Sequence, residues 1–305
     1  MKNPKIVFPS VFAAALCCIA VYFVVGRSSV FAQMAVADKS LVTKTAKSSR
    51  VAGSANLTRF SAAVLNNDRM RSSLSWVFGG RNQTGWNVYV PLISRTIDVD
   101  AAPNTLQFAA AVAKWQADND LMVTGELDNY TLEALIKLWQ SQRLWQSAAP
   151  SAERLYSAPI AEFYDQTRDI DLLKLERDTY AAYHRMLAAA AKDLGGSIRF
   201  TKNGELAPGE KFLRIVSAYR SPEYQEALRR KEPNAGRGAL AKFSAHATGQ
   251  ALDLYVGGEP VSTKDPNRLL QIQTPAYKWL VKNAHRFGFY PYFYEPWHWE
   301  YVPGR

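Results

Sequence analysis

Two histidines, an aspartate and a glutamate between Ser244 and Tyr301 have the side chains of a catalytic metal site. They fall in three short runs: Ser244-Ala-His246, Gly249-Gln-Ala251-Leu-Asp253, and Glu295-Pro-Trp-His298-Trp. Two imidazoles and one carboxylate make a ligand set that suits Zn²⁺ and leaves a fourth position for water. Glu295, three residues before His298, is a carboxylate close enough to take a proton from that water.

Strand alternation would bring these groups together. With Gln250 to Tyr255 extended, Gly249, Ala251 and Asp253 share one face while Leu252 and Leu254 take the other. Small neighbours beside Asp253 leave room there for an ion. His246 lies in the preceding loop, where Thr248-Gly249 lets the backbone fold back toward Asp253. His298 alternates with Trp297 and Trp299, so one imidazole points to the site and two indoles pack behind it. Glu300 shares the alternation of His298 and competes with Glu295 for the role of base.

A further run lies upstream, Ser217-Ala-Tyr-Arg220-Ser-Pro-Glu-Tyr-Gln225. Together with Ser-x-His-x-x-Gly-x-Ala-x-Asp and Glu-Pro-Trp-His, it resembles the zinc D-alanyl-D-alanine carboxypeptidases of the vancomycin-resistance type. These belong to a wider metallopeptidase group with the lysostaphin-like endopeptidases and the hedgehog signalling domain. The resemblance covers about the last 130 residues. It implies Zn²⁺ held by His246, Asp253 and His298, with Glu295 as base. It also implies Arg220 at the substrate carboxylate or developing oxyanion, and Gln225 and Ser244 helping to hold the peptide. His184, in the middle of the long expected helix, and His285, near the end of another, read as surface or helix-terminal residues. Arg229, Arg230 and Lys231 read as a solvated helix face.

The 305 residues suffice for two modest domains, and 48% hydrophobic with 12% aromatic content for packed cores. A net charge of +10 suits an anionic partner: nucleic acid, membrane headgroups or a wall polymer. The resemblance selects among them, and the expected partners are peptidoglycan stem peptides and glycan, with no nucleic acid. Both cysteines, Cys17 and Cys18, sit in the N-terminal apolar run, so the remainder has neither disulfides nor thiolate ligands.

Lys2 and Lys5 ahead of the apolar run Val11 to Val25 have the layout of a secretory signal, with Val30-Phe-Ala32 and Ala35-Val-Ala37 as cleavage sites. The competing reading over 1–37 is an uncleaved membrane anchor, a tether to the inner membrane. Either way the chain is exported to the periplasm or cell envelope.

Residues 38–75, rich in Ser, Ala, Lys and Arg without sustained periodicity, read as a flexible tether. Over 76–145, Phe108, Val112 and Trp115 recur at helical spacing, as do Leu132, Leu135 and Trp139. Between them Gly125 marks a turn and Asp128 an N-cap. This helix–turn–helix, with Trp115-Gln116, resembles the small three-helix peptidoglycan-binding domain. Residues 146–160, with Pro150 and Pro159 among Ala and Ser, read as a linker. Within 161–305, a helix is expected over Leu172 to Leu194, a strand over Phe212 to Ser217, and a short helix over Pro222 to Arg230. A basic loop follows over Asn234 to Lys242, and a later helix has Thr274 as N-cap, Pro275 at N1 and Gly288 closing it.

The fold class is α+β: a small, mainly antiparallel sheet with packed helices, plus a small three-helix N-terminal domain. The activity expected is zinc-dependent removal of a terminal D-alanine from stem peptides. Cleavage of an internal stem-peptide or cross-bridge bond, or a non-catalytic zinc-stabilised wall-binding module, are the alternatives.

Overall fold

The computed structural model describes residues 60–144, 148–231 and 244–304. The apolar N-terminal run, most of the expected tether and the basic loop Asn234 to Lys242 lie outside them. Among the described residues no helix is long and apolar enough to cross a membrane.

The N-terminal part is a helical layer. It contains α1 (Ser61–Ser73), a hairpin of β1 (Ser75–Phe78) and β2 (Arg81–Thr84), then α2 (Val90–Thr96), α3 (Leu106–Asp118) and α4 (Asn129–Ser141). The apolar stripes of α3 and α4 share a core with Trp86, Tyr89 and Ile93. Thr105 Oγ1 accepts from the Phe108 N–H at 3.2 Å, and Asp128 Oδ1 from the Thr131 N–H at 2.8 Å. Each such cap is worth about 1 kcal/mol.

Helix α1 corrects the expected tether, which does not extend through residues 61–73. Its sequence has no clear apolar stripe because its anchor is polar. Buried Asn67 donates to the Gly125 carbonyl at 2.9 Å and accepts from the Leu127 N–H at 2.7 Å. From the other side, Gln116 holds the same loop, accepting from the Thr124 and Gly125 N–H groups at 2.9 Å and donating to the Glu126 carbonyl at 3.0 Å. Two buried amides thus satisfy backbone groups that the turn at Gly125 (φ 74°) would otherwise leave unpaired.

The C-terminal part begins with a second correction. Strand β3 (Leu155–Ser157), inside the expected linker, pairs antiparallel with β4 (Lys174–Glu176). The predicted helix from Leu172 therefore starts only at Arg177, as α5 (Arg177–Leu194). Glu176 caps it, accepting from the Thr179 N–H at 2.9 Å. Strands of three residues carry too little alternation to be seen against a neighbouring helical stripe.

Next come β5 (Ile215–Ser217), α6 (Pro222–Lys231), β6 (Ala251–Leu254), α7 (Asp265–Gln271), α8 (Pro275–Asn283), β7 (Phe289–Pro291) and β8 (His298–Tyr301). Thr274 caps α8 with Pro275 in its first turn, and Gly288 at φ 84° ends the short turn that follows. The four strands form one antiparallel sheet in the order β5-β6-β8-β7. One face, with Ile215, Leu252, Leu254 and Trp299, shares a core with Tyr183 and Leu187 of α5 and Tyr277 and Leu280 of α8. The fold is α+β, as expected.

The two parts share apolar packing. Tyr292 and Phe293, just before β8, are buried in the aromatic core of the helical layer, with the Phe293 ring 4.7 Å from Phe78 and 5.8 Å from Trp139. Buried Arg268 on α7 adds a polar tie, donating to Tyr89 Oη at 3.0 Å and the Tyr294 carbonyl at 3.2 Å.

Candidate active site

Antiparallel register assembles the site. Ser217 of β5, Asp253 of β6 and His298 of β8 are direct cross-strand partners, so one row on one face crosses three strands. The adjoining row pairs Ala251 with Glu300. His246 arrives from the turn Ala245–Thr248, where Ser244 Oγ accepts the His246 N–H at 3.3 Å and Gly249 ends the turn at φ 69°. Of the small residues near Asp253, Gly249 has a task beyond the one expected. Ala251 lies opposite Glu300. A Cβ on Gly249 would come within 2.9 Å of the Glu176 backbone nitrogen, so this glycine permits a close approach of two backbones.

Among the described residues, His246, Asp253 and His298 form a buried group whose ligand atoms lie within 4.8 Å of one another. Their hydrogen bonds show that they suit a cation. His246 Nδ1 lies 2.6 Å from the Ala218 carbonyl, which can only accept, so that nitrogen carries the hydrogen. His298 Nε2 likewise donates to the Glu300 carboxylate at 3.2 Å. When the rings are neutral, His246 Nε2 and His298 Nδ1 turn bare lone pairs toward Asp253 Oδ1, at 3.2 and 2.9 Å. Three electron-rich atoms facing one another need a positive charge between them, supplied by a proton or by a metal ion. Two histidines and one carboxylate with their outward nitrogens bonded match a zinc donor set.

The electrostatics agree. In the metal-free protein, burial works against charge on His298, but Asp253 and Glu300 outweigh it and hold the ring's pKa up at about 9. His246 goes the other way: burial, aided by Arg220, pushes it down to about 4. Burial opposes the charge of Asp253 too, yet the two histidines and Arg220 hold its carboxyl well below the usual range. Glu295, 8% exposed, is pushed up to about 7 by burial, against the pull of His298. Its backbone belongs to the turn that feeds β8, donating to the Tyr292 carbonyl at 3.1 Å and accepting from the His298 N–H at 2.9 Å.

Arg220 meets the site through Asp253. Its Nη2 donates to Asp253 Oδ2 at 2.7 Å and its Nε to Ser217 Oγ at 2.9 Å. This leaves Asp253 Oδ1 for the histidines, an orienting contact that the sequence did not reveal. Gln225 lies on α6 with its side chain buried. Ser244 caps the His246 turn. His184 faces Glu162 at 3.3 Å, and His285 approaches Arg95 at 3.3 Å.

Glu300 is fully buried between His298 and Arg143, and burial, which opposes its charge, is outweighed by those two so that its pKa falls to about 2. That makes it a partner of His298 and a poor base. Its alternation with His298 was legible in the sequence. Arg143, at the far end of a separation of 157 residues, gave no signal.

Residues 172–304 match the family described as D-alanyl-D-alanine carboxypeptidase, VanY. No curated protein matches the chain. The matched stretch contains every residue of the converged site, from Arg220 through His246 and Asp253 to Glu295 and His298. The C-terminal part of this chain, residues 172–304, is a D-alanyl-D-alanine carboxypeptidase domain of the VanY family.

Proposed function

We propose that this domain is a zinc-dependent peptidase that removes the terminal D-alanine from peptidoglycan stem peptides. The observation that carries this reading is the convergence of His246 Nε2, His298 Nδ1 and an Asp253 oxygen, each ring fixed by an acceptor on its outer nitrogen. These three atoms would hold the ion. When bound, zinc supplies Lewis acidity toward the scissile carbonyl and brings the pKa of a water to about 7. A carboxylate oxygen of Glu295 takes the proton of the attacking water and passes it to the leaving amine. A metal-free pKa near 7 keeps both of its protonation states within reach. Arg220, braced by Asp253 and Ser217, keeps N–H groups at its Nη end for the substrate carboxylate or the developing oxyanion. Such a contact is worth about 3 kcal/mol in comparable sites. Gln225 and Ser244 are assigned as peptide contacts on family resemblance.

The test is a comparison of two peptides. A pentapeptide ending in D-Ala-D-Ala should lose one alanine by mass, and its C-terminal amide should be cut far more slowly. Arg220→Lys should keep the fold but lose much of that preference, because lysine cannot present a planar fork. Equal rates on acid and amide, or fragments from an internal cut, would replace this reading by the endopeptidase one.

The helical layer would hold the enzyme to its insoluble substrate and raise its local concentration. Exposed Met122, Val123 and Tyr130, at the loop fixed by Gln116 and Asn67, offer apolar side chains there, Met122 and Tyr130 the most. Met122→Asp with Tyr130→Asp should reduce co-sedimentation with insoluble peptidoglycan without changing turnover of soluble pentapeptide. Unchanged sedimentation would remove the wall-binding assignment. This substrate lies in the cell envelope, so the protein should fractionate there; recovery from the cytosol alone would contradict export.

A further inference from the structure

The residues just past α4 reach the metal group through Glu300. Arg143 donates from Nε at 3.0 Å, and also from Nη2, to Glu300 Oε1, and its guanidinium lies over the Tyr292 ring at 4.0 Å. The backbone N–H of Leu144 donates to the other oxygen, Oε2, at 2.8 Å. Both oxygens of this buried carboxylate are thus held by residues 143 and 144, at the end of the helical layer. Glu300 Oε1 in turn accepts from His298 Nε2 at 3.2 Å, which obliges Nδ1 to face Asp253 and His246. A carboxylate behind a ligating imidazole fixes the ring's tautomer and orientation and raises its basicity. Here the matched peptidase residues hold that carboxylate only in part, since its orienting groups lie outside residues 172–304.

We infer that Arg143 is a positioning residue of the metal centre: through Glu300 it sets the His298 ring in its ligating orientation, so the helical layer completes the site. This rests on the zinc reading given above. A purely mechanical tie between the two parts would support the fold and leave metal affinity untouched.

The experiment measures Zn²⁺ affinity of the full chain by chelator competition, alongside the melting temperature of the metal-free protein. Arg143→Met keeps an apolar stem over Tyr292 but removes the charge and the fork. It should weaken Zn²⁺ binding by about 10–100-fold, the range for lost outer partners of metal ligands. It should also lower metal-free melting, because it leaves the buried Glu300 carboxylate without its guanidinium. The affinity, and not the melting temperature, separates positioning from a mechanical tie. Arg143→Lys should recover part of the affinity, since it keeps the charge without the fork. Glu300→Gln should weaken binding similarly, and the double variant should bind no more weakly than Glu300→Gln alone, because the two act in series. Wild-type affinity in Arg143→Met, or losses that multiply in the double variant, would overturn the inference. If Arg143→Met does not fold, Glu300→Gln decides, and wild-type affinity there overturns it equally. A wild-type chain that binds no Zn²⁺ would instead sink the zinc reading.

Discussion

Glu295→Gln is expected to keep its metal ion and lose about 10²–10⁴-fold in kcat, the usual worth of a positioned general base. Glu295 is not among the converging ligand atoms, so metal content by elemental analysis should match the wild type. The pH profile adds a second readout. Burial places the metal-free pKa of Glu295 at about 7, and the group works as a base only when ionised. Wild-type kcat/KM should therefore fall about tenfold per pH unit on the acid side of that pKa. A cation held nearby favours the carboxylate and moves the limb below 7. In Glu295→Gln the limb should disappear. A variant turning over near the wild-type rate would assign the base elsewhere. Glu300 is a poor substitute, since its pKa near 2 and its contacts with His298 and Arg143 keep it ionised and engaged.

His298→Ala should lose both metal and activity. It removes one of three ligand atoms and leaves Asp253 Oδ1 without its neighbour at 2.9 Å. The fall in affinity should exceed the roughly 10–100-fold of an outer partner. His246→Ala should behave alike. Full zinc content in either variant would contradict the ligand assignment. Stripping the metal from the wild type has its own signature. The His298 pKa in the metal-free protein is raised to about 9, so the charged ring adds stability in full below its unfolded value of about 6.5. That contribution is lost as pH rises through 9. Melting of the chelated protein should therefore fall between about pH 6.5 and 9. The metal-loaded protein should not follow, since the ion replaces the proton between the same atoms.

That His246, Asp253 and His298 come together could be read from the chain because strand alternation sets Asp253 and His298 on their faces and because the segments that carry them resemble one family. Thr274 and Asp128 were legible as caps for a similar reason: capping is local, and a hydroxyl or carboxylate before an apolar run has one common use. Helix α1 was not legible, since Asn67 anchors it through hydrogen bonds to Gly125 and Leu127 and leaves no apolar period. Strands β3 and β4 were too short to stand out. Gly249 was recognised as small and mobile, but its φ of 69° and its contact with Glu176 depend on a segment far away in sequence. Arg143 shows the same limit more sharply, because only tertiary packing tells which of many arginines meets a buried glutamate.

The burial of Tyr292 and Phe293 in the helical layer also bears on the order in which the chain is made. Synthesis runs at about 5–20 residues per second, so the aromatic pocket around Phe78 and Trp139 waits roughly 8–30 s for rings that emerge some 150 residues later. Until they arrive, the first-made helices expose the surface those rings will cover. The same stretch of chain that closes this surface brings in Glu295 and His298. A nascent chain stopped short of it would have neither a finished aromatic core nor His298 to join His246 and Asp253, so partial products should be both unstable and inert.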